Sequence, residues 1–313
     1  MFRVKAIPAV LVTSLLLAGC NYQAPGPAVE QPVGMAVDAP RVTVESTGQG
    51  DKKVLAFADI DSEQELNLDI TEGFQQDVLR ADAAADFRAE DIDTATTHLP
   101  LQGSVEQASE ATEGQAPATR NAFFTVGEPG FDGDSDISSA EGFQFGWRAE
   151  DNGQMSSLRL AAPQESTDTA RAIAEQAITK LTALPVVFPD EEIGPGATWT
   201  VESRVPGEAV LLQETTYTLE SLADGRAELG VEIHQRPSLG ALSLDGQAEG
   251  TDLEGQELKV LDSSTNSTGS LTVDLGNPLP VAGNVSMHTK ITYGTPESEV
   301  RVVQTSATAL DFS

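Results

Sequence analysis

The feature that most constrains this chain is a hairpin-like stretch across residues 217–233, whose second half, 227–233, keeps a strict period of two. Tyr217, Leu219 and Leu222 lead into Asp224-Gly225, and Ala227, Leu229, Val231 and Ile233 then alternate with polar residues. Every second side chain of a strand points to the same face, so this stretch predicts two strands that each bury one face. Asp-Gly supplies the positive φ that a two-residue hairpin turn requires. The same texture recurs at Val42 and Val44, at Leu66, Leu68 and Ile70, at Ala122–Val126, at Phe143, Phe145 and Trp147, and at Met155–Leu160. It continues at Trp199 and Val201, Leu258–Leu261, Leu271–Leu275, Val285–Tyr293 and Val300–Ala309, with a further strand-like run at Val54–Phe57. Many short strands bounded by turn residues predict an antiparallel sheet, strongly curved.

One segment breaks that period. Ala170, Ile173, Ala174, Ala177, Ile178, Leu181 and Leu184 fall at spacings of three and four, which places them on one face of a helix. Ser166-Thr167-Asp168 offers capping oxygens and first-turn negative charge, and Pro185 ends the helix because the residue before a proline is pushed out of helical geometry. A lone amphipathic helix in a β-rich chain packs against a sheet face. The expected fold is therefore mainly β (α+β), a curved antiparallel sheet or half-barrel packed on one central amphipathic helix. Apolar residues make up 39% of the chain but aromatics only 5%, so the core must rest on aliphatic side chains.

Residues 80–120 read differently. Between Ala56 and Gln115 there are fifteen acidic residues against only Arg80 and Arg88. Large apolar side chains are few beyond Arg80, so a short helix near Val78–Phe87 and an otherwise mobile acidic insert are expected. Residues 41–313 then form a single β-rich domain. Residues 20–40, rich in Pro, Ala, Gly and Val without a period, read as a flexible tether.

Residues 1–19 have the build of an export signal, with Arg3 and Lys5 ahead of an apolar run from Ala6 to Ala18. That run is too short to span a bilayer, which takes roughly 20 apolar residues. A plain secretory signal fits equally well up to Gly19. What separates the readings is Leu17-Ala18-Gly19-Cys20, which resembles the lipobox of bacterial lipoproteins and contains the chain's one cysteine. The resemblance implies that the Cys20 thiol is lipidated and becomes the first mature residue, attaching an extracytoplasmic domain to the bacterial cell membrane. Two acyl chains suffice for stable anchoring where one is marginal.

Phe188-Pro189-Asp190-Glu191-Glu192-Ile193-Gly194-Pro195-Gly196-Ala197-Thr198-Trp199 resembles an element of uncharacterised bacterial cell-envelope lipoproteins. More loosely the similarity runs over 170–310, including Asn277-Pro278-Leu279-Pro280. It implies a fold and a compartment, and carries no catalytic residue. The expected architecture also looks like the half-barrel lipoproteins that carry lipids in bacterial envelopes, which implies an acyl-chain cavity between sheet and helix.

Motifs for other chemistry do not assemble. His98, His234 and His288 stand apart, the last two on the polar phase of their strands, and no His-x-Glu or His-Glu-x-x-His spacing occurs. There is no Gly-x-Ser-x-Gly elbow and no phosphate-binding glycine loop. Asp132-Gly133-Asp134-Ser135-Asp136 matches half of a calcium loop, but the positions for the loop's glycine and its final glutamate hold Ile137 and Phe143. Asn266-Ser267-Thr268 and Asn284-Val285-Ser286 fit a glycosylation pattern that has little meaning in a bacterial lipoprotein. A net charge of −31 repels phosphate backbones, so nucleic acid is not an expected partner. The expectation is a non-enzymatic, cofactor-free, membrane-anchored protein that binds a lipid or other hydrophobic ligand. The alternative is an envelope scaffold that presents an acidic surface to a protein partner.

Overall fold

The computed structural model describes residues 27–88, 92–111, 115–205, 210–239, 241–243, 257–295 and 299–313. In chain order its elements are strands β1 (Val33–Ala36), β2 (Arg41–Thr47) and β3 (Glu63–Arg80), helix α1 (Ala81–Asp86), β4 (Ala95–Gln107), β5 (Arg120–Val126), β6 (Gly130–Phe131), β7 (Gln144–Ala149) and β8 (Met155–Ala161). Helix α2 (Asp168–Thr182) follows, then β9 (Ala197–Val205), β10 (Leu211–Ala223), β11 (Arg226–Pro237), β12 (Ala241–Ser243), β13 (Glu257–Asp274), β14 (Ala282–Gly294) and β15 (Val300–Phe312). All fifteen strands belong to one antiparallel sheet, ordered β1-β8-β7-β5-β4-β3-β15-β14-β13-β11-β10-β9-β2, with β6 on β4 and β12 on β13 beside that path. The sheet is curved and not closed into a barrel, as the alternation predicts.

The hairpin that anchors the prediction is present. Asp224 and Gly225 sit at φ 50° and 81°, and β10 pairs β11 in register from Ala223↔Arg226 outward, with one shift between Leu219 and Ser221. Helix α2 is present as well, capped by the Thr167 hydroxyl, which accepts from Ala170 N at 3.2 Å. It buries Ala170, Ala174, Ala177, Ile178 and Leu181. Three alanines on that face let the helix backbone come close to the sheet. Around it, Leu68, Ile70, Leu99, Leu101, Phe124, Trp147, Tyr217 and Leu229 form one continuous core.

Three parts of the chain differ from expectation. Strand β4 lies inside the acidic segment 80–120 and holds a central place in the sheet, between β3 and β5. Its Leu99, Leu101 and Val105 are buried, while the polar residues between them dominate the composition. The described part of the tether is also structured. Val29 bridges Pro163, β1 pairs β8 as one edge of the sheet, and after residues 37–40 the chain becomes β2, the opposite edge. Five Cα steps reach at most roughly 18 Å, so this strap holds the two edges near each other. Edge pairing uses backbone groups and leaves β1 side chains exposed, which is why no apolar period announces it. Finally, Val54–Phe57 is irregular backbone, although Leu55 and Phe57 are buried.

Candidate functional site

The face of the sheet that carries α2 divides into a packed half and an open half. Under the helix the fit is tight, and a gap of only about 40 Å³ remains among Phe57, Arg120, Leu184 and Leu279. The segment leaving the helix is fastened by three strand side chains. Gln213 Nε2 donates to Ala183 O at 3.0 Å, Tyr217 OH to Pro185 O at 2.9 Å, and Trp199 Nε1 to Val187 O at 2.8 Å. Alternate carbonyls thus meet donors from β10 and β9. Trp199, near the head of β9, is fully buried and stacks on Tyr217 with ring centroids 5.5 Å apart. Burial raises the Tyr217 hydroxyl above its ordinary pKa, so it remains a donor. The Gly194-Pro195-Gly196 turn has a backbone duty: Gly194 N donates to Thr47 O and Pro195 O accepts from Gln49 N, and a Cβ on Gly194 would lie 2.5 Å from Gln49 O.

Beyond the C-terminal end of α2 the strands continue, and a cavity of about 460 Å³ opens between the helix end and the sheet. This falls in the size range of small-molecule sites, roughly 300–1,000 Å³. Its walls include Thr179, Lys180, Ala183 and Leu184 from the helix end, with Phe74, Val205, Leu211, Met287 and Ile291 as apolar sheet residues. Phe74 is 47% exposed although it sits on the helix-bearing face, and Val78, two positions along the same phase of β3, is 64% exposed.

A row of neutral polar side chains crosses the cavity. The ladders place Phe74 opposite Ser306, Ser306 opposite Thr289, Thr289 opposite Thr265, and Gln235 opposite Gln213. Gln235 Nε2 donates to Gln213 Oε1 at 2.8 Å, and Thr289 Oγ1 donates to Gln235 Oε1 at 2.8 Å. Thr265 and Thr289 hydroxyls lie 3.1 Å apart, and one strand step further Gln304 Nε2 donates to Gln76 Oε1 at 2.8 Å. Among the described residues, the only charged lining groups are Lys180 and Glu72, which pair with each other at 3.3 Å.

The row depends on a break in the sheet. β11 and β13 pair over Arg226–Gly230 and Ser270–Asp274, and β12 pairs β13 again at Glu257–Lys259. Between these ladders the hydroxyls of β13 replace backbone partners. Ser267 Oγ accepts from Ile233 N at 2.8 Å and donates to Ile233 O at 3.1 Å, while Thr265 Oγ1 accepts from Gln235 N at 3.0 Å. Backbone groups are thereby satisfied, and the polar run Ser263–Ser270 joins the two expected apolar pieces into one 18-residue strand.

A second polar feature is wholly buried. Arg120 Nη2 meets Asp59 Oδ2 at 2.5 Å, with side-chain exposures of 3% and 0%, and the guanidinium lies 4.1 Å from the Phe57 ring centroid. Burial raises the Asp59 carboxyl above the usual range against the pull of Arg120, and it lowers the arginine.

Cys20, the expected lipidation site, lies outside the described residues together with the signal segment. The three histidines are not brought together: His98 pairs with Asp69 at 2.8 Å and His234 with Glu232 at 3.2 Å, both at exposed positions, and His288 lies on β14. Asp132 accepts from the backbone N–H of Thr96 on β4, and Asp136 accepts from that of Ser138 in its own turn. Among the described residues no cluster of three or more His, Cys, Asp or Glu could hold a metal ion, and no helix is long and apolar enough to cross a membrane. Gln213, Gln235 and Thr289 escape a reading based on apolar alternation. Their trace in the sequence is a polar residue on the buried phase, as where Ala227-x-Leu229-x-Val231-x-Ile233 runs on to Gln235.

No protein-family model matches this chain, and no curated protein sequence does.

Proposed function

We propose that this protein is a lipid-anchored extracytoplasmic lipoprotein that binds an amphiphilic ligand without transforming it. The observation that carries the reading is the cavity of about 460 Å³ at the end of α2, where the helix stops short of the sheet it covers. A space bounded by a helix end and a curved sheet, with aliphatic walls and a few convergent polar groups, suits a small ligand. The lipobox-like Leu17-Ala18-Gly19-Cys20 supports the anchor. The tight packing beneath the helix refines the expectation of a purely acyl cavity: room lies beyond the helix, and its lining is mixed, so the ligand needs a polar part as well as an apolar one.

Native mass spectrometry of the domain purified from an envelope fraction tests this. A bound amphiphile of discrete mass, lost when Thr308→Trp fills the cavity, is the expected result. A ligand-free spectrum, combined with no binding of added amphiphiles, overturns the reading.

A further inference from the structure

Resting on that cavity as the binding site, we infer that the polar part of the ligand is an uncharged, hydroxyl-bearing group of the sugar or polyol class. The composition of the wall carries the inference. Across the cavity run Gln213, Gln235, Thr289, Ser306 and Gln304, all neutral amides or hydroxyls. Such groups donate and accept in equal measure, which matches a polyol, whose hydroxyls also do both. A phosphate or sulfate head offers acceptors alone and calls for arginine, lysine or a row of N–H donors. Lys180, the one lysine on the wall among the described residues, is already held by Glu72 at 3.3 Å, and Glu72 accepts a further hydrogen bond from Gln176. A cationic head would need an unpaired carboxylate there, and among the described residues the only lining carboxylate, Glu72, is already paired.

The row is also held in place before any ligand arrives. Gln213 spends both N–H groups on Ala183 O and Thr215 Oγ1, which fixes its amide plane and leaves its oxygen to Gln235. Gln235 in turn receives Thr289, so amide and hydroxyl orientations are set in sequence across three strands. Gln235 keeps a second N–H after these bonds, and Ser306 and Thr308 enter no side-chain hydrogen bond among the described residues. Fixed neutral groups lose little freedom on binding. Beside the row, Phe74 presents a half-exposed ring at the position opposite Ser306. An aromatic face next to amides and hydroxyls suits the apolar C–H face of a sugar ring. On the other side of the row, Ile291 and Leu211 pack in one apolar cluster and line the cavity, giving an alkyl chain an apolar wall.

The test holds the tail constant and varies the head. Dodecyl maltoside, dodecyl phosphocholine and dodecyl sulfate are each titrated below their micelle concentrations into the full mature chain, with free maltose as a fourth arm, and binding is read by calorimetry. The maltoside is expected to bind at least about tenfold tighter than the phosphocholine, the gain of one or two matched hydrogen bonds, with the sulfate weakest. Thr289→Val and Gln235→Met should each remove most of that preference while leaving tail binding. Equal affinity for the three heads, or preference for a charged one, overturns the inference and leaves the amphiphile reading standing. Failure of all three to bind overturns the amphiphile reading. Maltose binding as tightly as its dodecyl derivative would assign the site to a free sugar, keeping the head-group chemistry and removing the tail.

Discussion

The Asp59–Arg120 pair gives the sharpest energetic prediction. Both side chains are sealed from solvent, at 0% and 3% exposure, and the partners hold only part of each other's capacity, since Asp59 Oδ1 and Arg120 Nε have no hydrogen-bond partner among the described residues. Taking two charges out of water costs several kcal/mol each, and their attraction repays this only when the remaining lone pairs and protons are also satisfied. Here they are not. Arg120→Met removes the cation and leaves a buried carboxylate, at an expected cost of about 3–5 kcal/mol. It also removes the guanidinium from the Phe57 ring, where it lies at 4.1 Å, for roughly another 0.5–2 kcal/mol. Protonation of Asp59, already favoured by burial, limits the loss. Asp59→Leu strands the arginine with a similar penalty. The double variant Asp59→Leu/Arg120→Met leaves no charge at this site and should be more stable than either single one by at least about 2 kcal/mol, close to or above the parent. Urea unfolding followed by the fluorescence of Trp147 and Trp199, both buried, measures all four proteins. Single-variant losses below about 1 kcal/mol that simply add in the double would refute the reasoning, because they would mean that water already solvates the pair.

Two further outcomes follow from the same packing. Because burial raises the folded-state pKa of Asp59 above 3.8, its contribution to stability is fully present below that value and is lost as pH rises through the folded-state pKa. The stability of the parent relative to Asp59→Asn should therefore increase as pH falls from about 7 toward about 4, measured as the difference between their urea midpoints; an unchanged or shrinking difference contradicts it. Tyr217→Phe leaves the Pro185 carbonyl without its donor at 2.9 Å, so a loss of about 1–3 kcal/mol is expected, and a loss below about 0.3 kcal/mol would mean that this bond does not hold the helix exit.

The parts of the fold that could be read directly are those where burial on one face imposes a period. β9, β10, β11, β14, β15 and α2 follow from apolar spacing, and the hairpin from Asp224-Gly225, because in each case the sequence pattern and the buried face are the same fact. β1 and β4 were hidden for opposite reasons. β1 is held by backbone pairing with exposed side chains, whereas the inward set of β4 includes Thr97 and Gly103 among its aliphatic residues, which dilutes the period. A glycine is needed at 103 because the Phe124 ring would lie 2.4 Å from its Cβ. The cavity wall was hidden because it departs from the rule that made the rest legible. Its polar residues occupy phases where alternation expects aliphatic ones, and only the strand register shows that Gln213, Gln235 and Thr289 form one row.

The central claim is that an amphiphile occupies the open half of the sheet, past the end of α2. Methionine placement allows a direct measurement. Met287 lines the cavity, Met155 borders the packed gap under the helix, and Met35 is exposed on the edge strand β1. With methyl-labelled methionine, titration of dodecyl maltoside should shift the Met287 resonance to saturation and leave Met155 and Met35 in place. Movement of Met35 or Met155 with Met287 unchanged would place the ligand elsewhere and contradict the account.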